Sequence, residues 1–238
     1  MFPYDPKILA AVQVQPQSIA DVFQTMQVID AACADADGLK WFNWLYMTVT
    51  EAIESKVASG GFNDPAWLSQ LDVQFARLYF DALAGQLSGA SCPACWNVMF
   101  SVRDQVRIAR IQFALAGMNA HINHDLPMAI VSTCQARNTV PQQGTPEYTD
   151  YTAVNATLDG LIDQAKQTLN VRLPGDPLPA VSHLEDLIAT CDLATFREKA
   201  WDVAQSLWDE SNDEINLQMG LRDAIVAALS SAFLVAVP

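Results

Sequence analysis

Residues 116–127 read AGMNAHINHDLP, and this stretch decides how the rest of the chain is interpreted. Apolar residues recur at helical spacing through and before it, at Ile108, Ile111, Leu115, Met118, Ile122 and Leu126. Such a stripe is typical of a helix that faces a protein core. Yet two of the three histidines, two asparagines and an aspartate lie in the same stretch. Because burying polar groups costs free energy unless each is paired, their crowding indicates a functional site.

The spacing of the polar residues predicts which of them meet. Side chains four residues apart stack on one face of a helix, so His121 and Asp125 should converge on one point. Gly117, one turn earlier, has no Cβ and should let another group approach the backbone. Pro127 lacks a backbone N–H and should kink or end the helix. His124 points nearly opposite the apolar stripe, which favours the surface or a supporting position behind the site.

The two asparagines lie along the other border of the stripe. Asn119 and Asn123 are also four residues apart, so they should share a face of the helix. A structural alternative is that all these polar groups only satisfy one another within a core, with Asp125 as the partner of His121. Five polar groups on one short apolar helix favour the functional interpretation.

Composition excludes several classes of protein. The chain has 238 residues, of which 51% are hydrophobic and 17% charged, so a large core is expected. The net charge of −14 argues against nucleic acid and against anionic membrane surfaces as partners. The start of the chain lacks the basic and apolar segments of a secretory signal, and the cysteines look like reduced core residues. We therefore expect a cytoplasmic protein.

Strand signals are scarce, and alternation of apolar and polar residues is nearly absent. The pattern predicts an all-α, single-domain bundle of about eight helices over residues 1–238, with the helix from Gln105 to the Pro127 region near its centre. Ser18 and the Asp64–Pro65 pair are expected to start helices. The apolar run from Ala224 to Val237 is too short to span a bilayer and predicts a buried C-terminal helix.

One short motif invites a different interpretation. Cys92 and Cys95 have the spacing of a thioredoxin-type redox pair, but that motif needs a preceding strand, which is missing here. A zinc site would need a second pair at matching spacing, and the sequence has none. We therefore favour neither a redox nor a metal role for this pair.

The central string Gly117-Met118-Asn119-Ala120-His121-Ile122-Asn123-x-Asp125-Leu126 resembles the signature of an uncharacterised bacterial family of unknown function. Supporting features are Trp44-Leu45-Tyr46, Val49-Thr50, Phe62-x-Asp64, Trp67, Leu71-Asp72, Phe75-Ala76 and Tyr79. The resemblance covers most of the chain. It implies an all-helical fold in which the polar residues of the string act together, and it implies no activity.

A weaker likeness is to zinc-dependent phospholipase C and related helical nucleases, which also carry a His-x-x-x-Asp step on a helix. Those enzymes need several more histidines for a three-zinc cluster, and this chain has only His124 and His183 besides His121. A single divalent metal held by His121, Asp125 and a carboxylate such as Asp72 or Glu51 is the form that this likeness leaves open.

The leading hypothesis is an enzyme without a cofactor that acts on an apolar small molecule. His121 would be the general acid or base, Asp125 would fix its tautomer, and Asn119 or Asn123 would donate hydrogen bonds to a developing oxyanion. We expect substrate contacts from Trp44, Asp72, Tyr79 and Gly117, within a pocket whose aromatic walls are Trp41, Trp44, Phe75, Tyr79 and Trp96. Such a site suits a cyclase, an isomerase or a hydrolase.

Two alternatives stay open from the sequence. The first is a mononuclear metal-dependent hydrolase, which requires stoichiometric metal in the purified protein. The second is a non-catalytic helical binding protein, in which the polar cluster only fixes the helix register. The oligomeric state and the substrate are not determined by the sequence.

Overall fold

Helices in this chain begin at side chains that cap them. In the computed structural model, the Ser18 hydroxyl accepts the backbone N–H of Asp21, while the Asp21 carboxylate accepts the backbone N–H of Ser18. Asp64 accepts the backbone N–H of Trp67, directly before Pro65 at the first helical position. Each cap satisfies backbone donors that the first turn of a helix leaves free. Both predicted helix starts are confirmed.

The structure describes residues 2–169 and 192–235, and this part of the chain contains helices and no strand. The α-helices are α1 (Asp5–Val12), α2 (Ile19–Ala32), α3 (Gly38–Ala58), α4 (Pro65–Ser88), α5 (Ala94–Phe100), α6 (Arg110–Ala120), α7 (Leu126–Arg137), α8 (Pro146–Ala153), α9 (Asn155–Leu169), α10 (Leu193–Leu207) and α11 (Asn212–Phe233). The predicted all-α bundle is confirmed, although its helices are shorter and more numerous than expected. His183 lies outside the described residues.

The central helix differs in detail from the one that we predicted to start at Gln105 and to kink or end near Pro127. It begins at Arg110, and between α6 and α7 the chain forms a π-helical segment, His121–Asp125, which we call the π segment. The helix then continues through Pro127 to Arg137. The expected irregularity is therefore a widened turn before the proline rather than an end at it.

The hydrogen bonds of the π segment explain how the proline is accommodated. The backbone N–H of Leu126 donates to the carbonyl of His121, five residues back. Pro127 has no N–H to donate to the carbonyl of Asn123, which a regular α-helix would require. Nε of Arg222, on α11, donates to that carbonyl instead. The backbone group that the proline leaves free is thus satisfied from a distant helix.

The π segment lies where two hydrophobic clusters meet. One cluster is built mainly from α1 to α6 and includes α6 residues up to Ala120. The other includes Ile122 and residues of α7, α8, α9 and α10, together with Ile53 of α3 and Trp67, Leu68 and Leu71 of α4. Helix α6 is buried on all its faces, so the narrow apolar stripe that we predicted understates its burial. Polar groups in the π segment are therefore surrounded by two cores.

The last helix is only partly buried, which corrects our prediction for the C-terminal apolar run. α11 buries Val226, Ala227, Ser230 and Phe233 against the bundle, but it exposes a second row of large apolar side chains, Leu217, Leu221, Ile225 and Leu229. Among the described residues, no helix has the length and apolar character needed to cross a membrane.

Candidate active site

The π segment brings two histidines to one carboxylate. Oδ2 of Asp125 accepts hydrogen bonds from Nδ1 of His121 and from Nε1 of Trp96, each at 2.9 Å. Oδ1 of Asp125 lies 2.8 Å from Nδ1 of His124. The predicted pairing of His121 with Asp125 is confirmed. The contact to His124 was missed, because on a regular helix adjacent side chains point about 100° apart.

The protonation of this cluster follows from its burial and hydrogen bonds. Burial raises the pKa of Asp125, but the hydrogen bonds from His121 and His124 outweigh this effect, and the net pKa is lowered. Burial lowers the pKa of His121, and the opposing influence of Asp125 does not restore it. His121 is therefore neutral near neutral pH and keeps its proton on Nδ1, which faces the carboxylate. Its Nε2 is a buried acceptor with no hydrogen-bond partner among the residues that the structure describes.

Aromatic rings fix the position of the His121 imidazole. The Phe75 ring stacks on it with centroids 3.4 Å apart and planes within 4°, and the Tyr46 ring lies at 4.5 Å. Phe42 presents its edge at 5.8 Å. Burial, together with the charges of Asp72 and Asp125, raises the pKa of the Tyr46 hydroxyl well above the ordinary value, although the nearby Thr50 hydroxyl acts in the opposite direction. The hydroxyl of this cavity residue therefore keeps its proton and can donate it.

The imidazole lines a half-enclosed cavity of about 80 Å³. Helices α3, α4, α9 and α10 supply most of its walls, which are apolar apart from four polar side chains: Tyr46, Asp72, His121 and Arg197. A volume of this size admits several water molecules or a slim apolar group. The cavity thus combines an apolar lining with a few polar groups, as small-molecule sites usually do.

Asp72 and Arg197 give the cavity two ionisable groups beyond His121. Asp72 is buried, and its Oδ2 has no hydrogen-bond partner in the described part of the chain. Burial, followed by the charge of Glu54, raises the pKa of Asp72 to about 7. Arg197 is buried and donates to Oδ1 of Asn155 at 2.7 Å and to the carbonyl of Tyr151 at 2.8 Å. Within the described ranges no carboxylate pairs with Arg197, so its positive charge is balanced only by neutral acceptors.

Among the predicted substrate-binding residues, Asp72 alone lines the cavity. Trp44 packs on the first hydrophobic cluster, away from it. Tyr79 is fully buried, and its hydroxyl donates to Oδ1 of Asn43 at 3.4 Å. The prediction that these two aromatic residues line the pocket is therefore wrong, because the side of α3 and α4 that carries them faces the core.

Gly117 allows a close approach, as predicted, but the group that approaches belongs to the protein. A Cβ at position 117 would lie 2.4 Å from ring atoms of Phe42, so the glycine is needed for Phe42 to pack there. Phe42 in turn packs against the His121 ring. Gly117 therefore positions the aromatic wall and does not line the cavity.

The two asparagines face α11 instead of the cavity. Nδ2 of Asn119 donates to the Val226 carbonyl at 3.0 Å and to Oγ of Ser230 at 2.9 Å. Nδ2 of Asn123 donates to Oδ1 of Asn119 at 2.9 Å. Both amide N–H groups of Asn119 and one of Asn123 donate to protein groups, and neither residue lines the cavity, so the structure gives no support to the predicted role in stabilising an oxyanion. They tie the central helix to the last one.

The single-metal site that the sequence left open as an alternative is not assembled either. Nδ1 of His121 and the Asp125 carboxylate are bonded to each other, and Glu51 is exposed. Within the described ranges, the set His121, Asp125 and Asp72 does not form a group with metal-binding spacing. The predicted aromatic walls also change: Phe75 lines the cavity, whereas Trp41 and Trp96 do not.

Sequence reasoning missed Tyr46 and Arg197. Arg197 belongs to a row of buried residues on α10, namely Leu193, Arg197, Ala200, Ala204 and Leu207. That spacing alternates between three and four residues, as on the buried face of a helix. A charged residue within such a row was a signal that could have identified it. Tyr46 occupies a comparable row on α3, four residues after Phe42.

The fold and the site define a helical protein with a buried histidine–aspartate pair beside an apolar cavity. Residues 19–236 match a family of unknown function, DUF5995, and the chain belongs to this family. Membership of an uncharacterised family, as predicted, is confirmed. No curated protein and no solved structure matches the chain. The likeness to zinc-dependent phospholipase C therefore stays a prediction without further support.

Proposed function

We propose that this protein is an enzyme that transfers protons to and from an apolar small molecule bound in the His121 cavity. One observation carries the proposal: Nε2 of His121 is buried, has no hydrogen-bond partner within residues 2–169 and 192–235, and belongs to a residue that lines the cavity. Asp125 holds the opposite ring nitrogen and so fixes the tautomer. A neutral imidazole with a fixed free lone pair is suited to act as a general base.

Asp72 supplies the complementary acid. Its pKa of about 7 leaves part of the population protonated at neutral pH. General acid–base catalysis is most effective when the catalytic pKa lies near the working pH. The Tyr46 hydroxyl adds a donor that can stabilise negative charge on an oxygen of the substrate. A base, an acid and a neutral donor around one apolar cavity suit isomerisation, cyclisation or hydrolysis.

The second candidate is a binding protein that holds an apolar ligand without changing it. The observation in its favour is the lining, which has only four polar side chains. In this case the hydrogen bond between His121 and Asp125 would only hold the bundle in register. The two candidates differ in what His121 does, so replacing this residue separates them.

The test uses a substituted benzisoxazole as a probe of a buried base. When a base removes the ring C–H proton, the electron pair forms a nitrile and the N–O bond breaks, releasing a coloured cyanophenolate. We expect the wild-type protein to accelerate this elimination, with a rate that falls as the pH drops below about 6.5 and His121 becomes protonated. His121→Gln keeps a donor to Asp125 but has no basic nitrogen, and it should lower the rate at least about 100-fold.

Trp44→Phe is the matched control, because it alters an aromatic residue of α3 that lies outside the cavity. It should leave the rate within about twofold of wild type. Saturable binding of the probe, measured by quenching of tryptophan fluorescence, together with a background rate of elimination would favour the binding protein and overturn the enzyme. An elimination rate that His121→Gln leaves unchanged would also overturn it.

Stability measurements on two variants complete the test. If His121 only supports the structure, His121→Ala should lower the free energy of unfolding, and His121→Gln should restore part of the loss. If His121 is catalytic, the Gln variant should fold like wild type while losing turnover.

A further inference from the structure

The second face of Asp125 carries a cluster that the proposed function does not use. His124 binds Oδ1 of Asp125 through Nδ1, which leaves its Nε2 for another partner. Cys95 and Asp223 lie beside it, from α5 and α11. The Cys95 thiol, a ring nitrogen of His124 and a carboxylate oxygen of Asp223 all lie within 4.8 Å of one another. Among the residues that the structure describes, this is the group with metal-binding spacing.

We propose that Cys95, His124 and Asp223 bind a single divalent transition metal of the zinc class. Thiolate, imidazole and carboxylate are the ligand types that zinc takes in proteins. Bonds of about 2.0–2.3 Å at tetrahedral angles bring ligand atoms to roughly 3.5 Å from one another. The observed spacing requires only a small contraction by side-chain rotation.

The surroundings of these residues are typical of a metal site. Asp125 holds Nδ1 of His124 at 2.8 Å, which leaves Nε2 for a metal, and metal-bound histidines commonly have such a carboxylate on their other ring nitrogen. The Asp223 carboxylate is fixed by the backbone N–H groups of Ala94 and Cys95, each at 2.8 Å. Two of the three ligands are thus oriented before a metal arrives, which lowers the entropy cost of binding it.

The Cys95 thiol gains most from a cation. It is fully buried, and burial together with the nearby carboxylates Asp125 and Asp223 raises its pKa far above the ordinary value. Without a cation, this position holds a thiol that cannot ionise. A bound divalent metal reverses the balance, since it favours the thiolate and offsets both carboxylates. The positive charge of Arg222 acts to lower the pKa of His124, and the same charge opposes the binding of a metal cation.

Cys92 lies outside this group, although it precedes Cys95 at the sequence spacing of one half of a zinc site. It is half-buried, and its thiol donates to the carbonyl of Pro93 at 3.5 Å. The three proposed ligands are therefore Cys95, His124 and Asp223. Solvent reaches the cluster through His124, whose side chain is 15% exposed.

The competing interpretation is a catalytic cysteine, because a cysteine hydrolase also combines a cysteine, a histidine and a carboxylate, here Cys95, His124 and Asp125. Nucleophilic catalysis requires a thiolate that the substrate can reach. The Cys95 thiol is buried and is hydrogen-bonded towards Asp223, a carboxylate that favours the protonated form. The geometry therefore supports metal binding over nucleophilic attack.

The experiment uses full-length protein without a histidine tag, stripped of metal by a chelator and kept reduced. Equilibrium dialysis against zinc, followed by elemental analysis, should give one zinc per chain. Cobalt(II) added instead should produce the visible bands of tetrahedral coordination and the ultraviolet band of a cobalt–thiolate bond. Cys95→Ala should abolish the thiolate band, and His124→Gln and Asp223→Asn should each weaken binding at least about 100-fold.

Cys134→Ala is the control, since Cys134 is a buried free cysteine outside the cluster, and it should bind metal like wild type. Because a variant can fail to fold, the unfolding temperature of the wild-type protein is measured as well. Zinc should raise it if zinc binds the native state. Substoichiometric zinc, a missing thiolate band or equal binding by Cys95→Ala would each overturn the proposal. The benzisoxazole assay is independent of these results.

Discussion

His121 and His124 are each hydrogen-bonded through Nδ1 to a different oxygen of the Asp125 carboxylate, at 2.9 and 2.8 Å. Their pKa values nevertheless move in opposite directions. Burial lowers the pKa of His121, which is 2% exposed beneath the Phe75 ring. Burial also lowers that of His124, but there the hydrogen bond and charge of Asp125, with the charge of Asp223, prevail and raise it. The hydrogen bond alone therefore does not set the charge of an imidazole.

The difference assigns separate chemistry to the two sides. A neutral imidazole beside an apolar cavity can accept a proton from a bound molecule, which is the role that we propose for His121. An imidazole held near a second carboxylate and a thiol attracts a cation, which is either a proton or, as we propose, a metal. Under these two proposals, one buried carboxylate serves both sites.

Removing the charge of Asp125 should have the largest effect. Asp125→Asn replaces an oxygen acceptor by an amide donor among three ring donors, and it leaves buried N–H groups of His121, His124 or Trp96 unsatisfied. We expect the free energy of unfolding, measured in urea at neutral pH, to fall by about 3–5 kcal/mol. Asp104→Asn changes an exposed aspartate and should stay within about 0.5 kcal/mol of wild type. A loss below about 1 kcal/mol at Asp125 would contradict the shared role.

The contrast between the two histidines also separates what the sequence could predict from what it could not. The pairing of His121 with Asp125 follows from local spacing, as do the helix starts at Ser18 and Asp64. The contact of His124 depends on the π segment, and a wheel drawn at a constant angle per residue cannot represent it. Pro127 was the only local sign that the helix departs from regular geometry there.

Long-range contacts were the other limit of prediction. Asn119 and Asn123 were correctly placed on one face of the helix, but the sequence does not tell whether that face meets a cavity or α11. The neighbours of Cys95 are distant in sequence, with Asp223 128 residues further along the chain. Whether a polar side chain is a ligand or a packing contact depends on which helix lies opposite, and this is decided by the assembly of the bundle.

Changing Gly117 should disturb the cavity side alone, with a medium effect. The added Cβ of Gly117→Ala would meet the Phe42 ring at 2.4 Å and push it away from His121. We expect the free energy of unfolding to fall by about 1–3 kcal/mol, as for other overpacked cores. The Phe42 ring should move towards the cavity, and the rate of benzisoxazole elimination should fall with it.

Gly160→Ala is the matched control for Gly117→Ala, because it is also a helical glycine and its Cβ would meet nothing within 4 Å. It should raise the free energy of unfolding by about 0.5–1 kcal/mol, since alanine is the better helix former. Two changes of the same chemistry should therefore have opposite signs. If Gly117→Ala is neutral or stabilising, the packing of Phe42 does not limit the site.

The smallest effects should appear in the titration of the two imidazoles, followed by NMR in the presence of a chelator. Signals can be assigned by replacing each histidine in turn. His121 should titrate below about pH 6.5 and His124 above it, since their pKa values are lowered and raised. The stabilising contribution of His121 is therefore present above about pH 6.5 and is lost as the pH falls through its folded-state pKa. The stabilising contribution of His124 is present below about pH 6.5 and is lost as the pH rises through the folded-state pKa of His124.

The same signs should appear in the stability of variants. His124→Gln should lower the free energy of unfolding more at pH 5.5 than at pH 8, and His121→Gln should lower it more at pH 8 than at pH 5.5. Because both residues are hydrogen-bonded to Asp125, an influence of that carboxylate alone would shift the two pH dependences in the same direction. Opposite pH dependences can arise only from the separate surroundings of the two rings. Two histidines that titrate together would show that the cavity and the Cys95 side impose the same environment, and the division of labour proposed for them would fail.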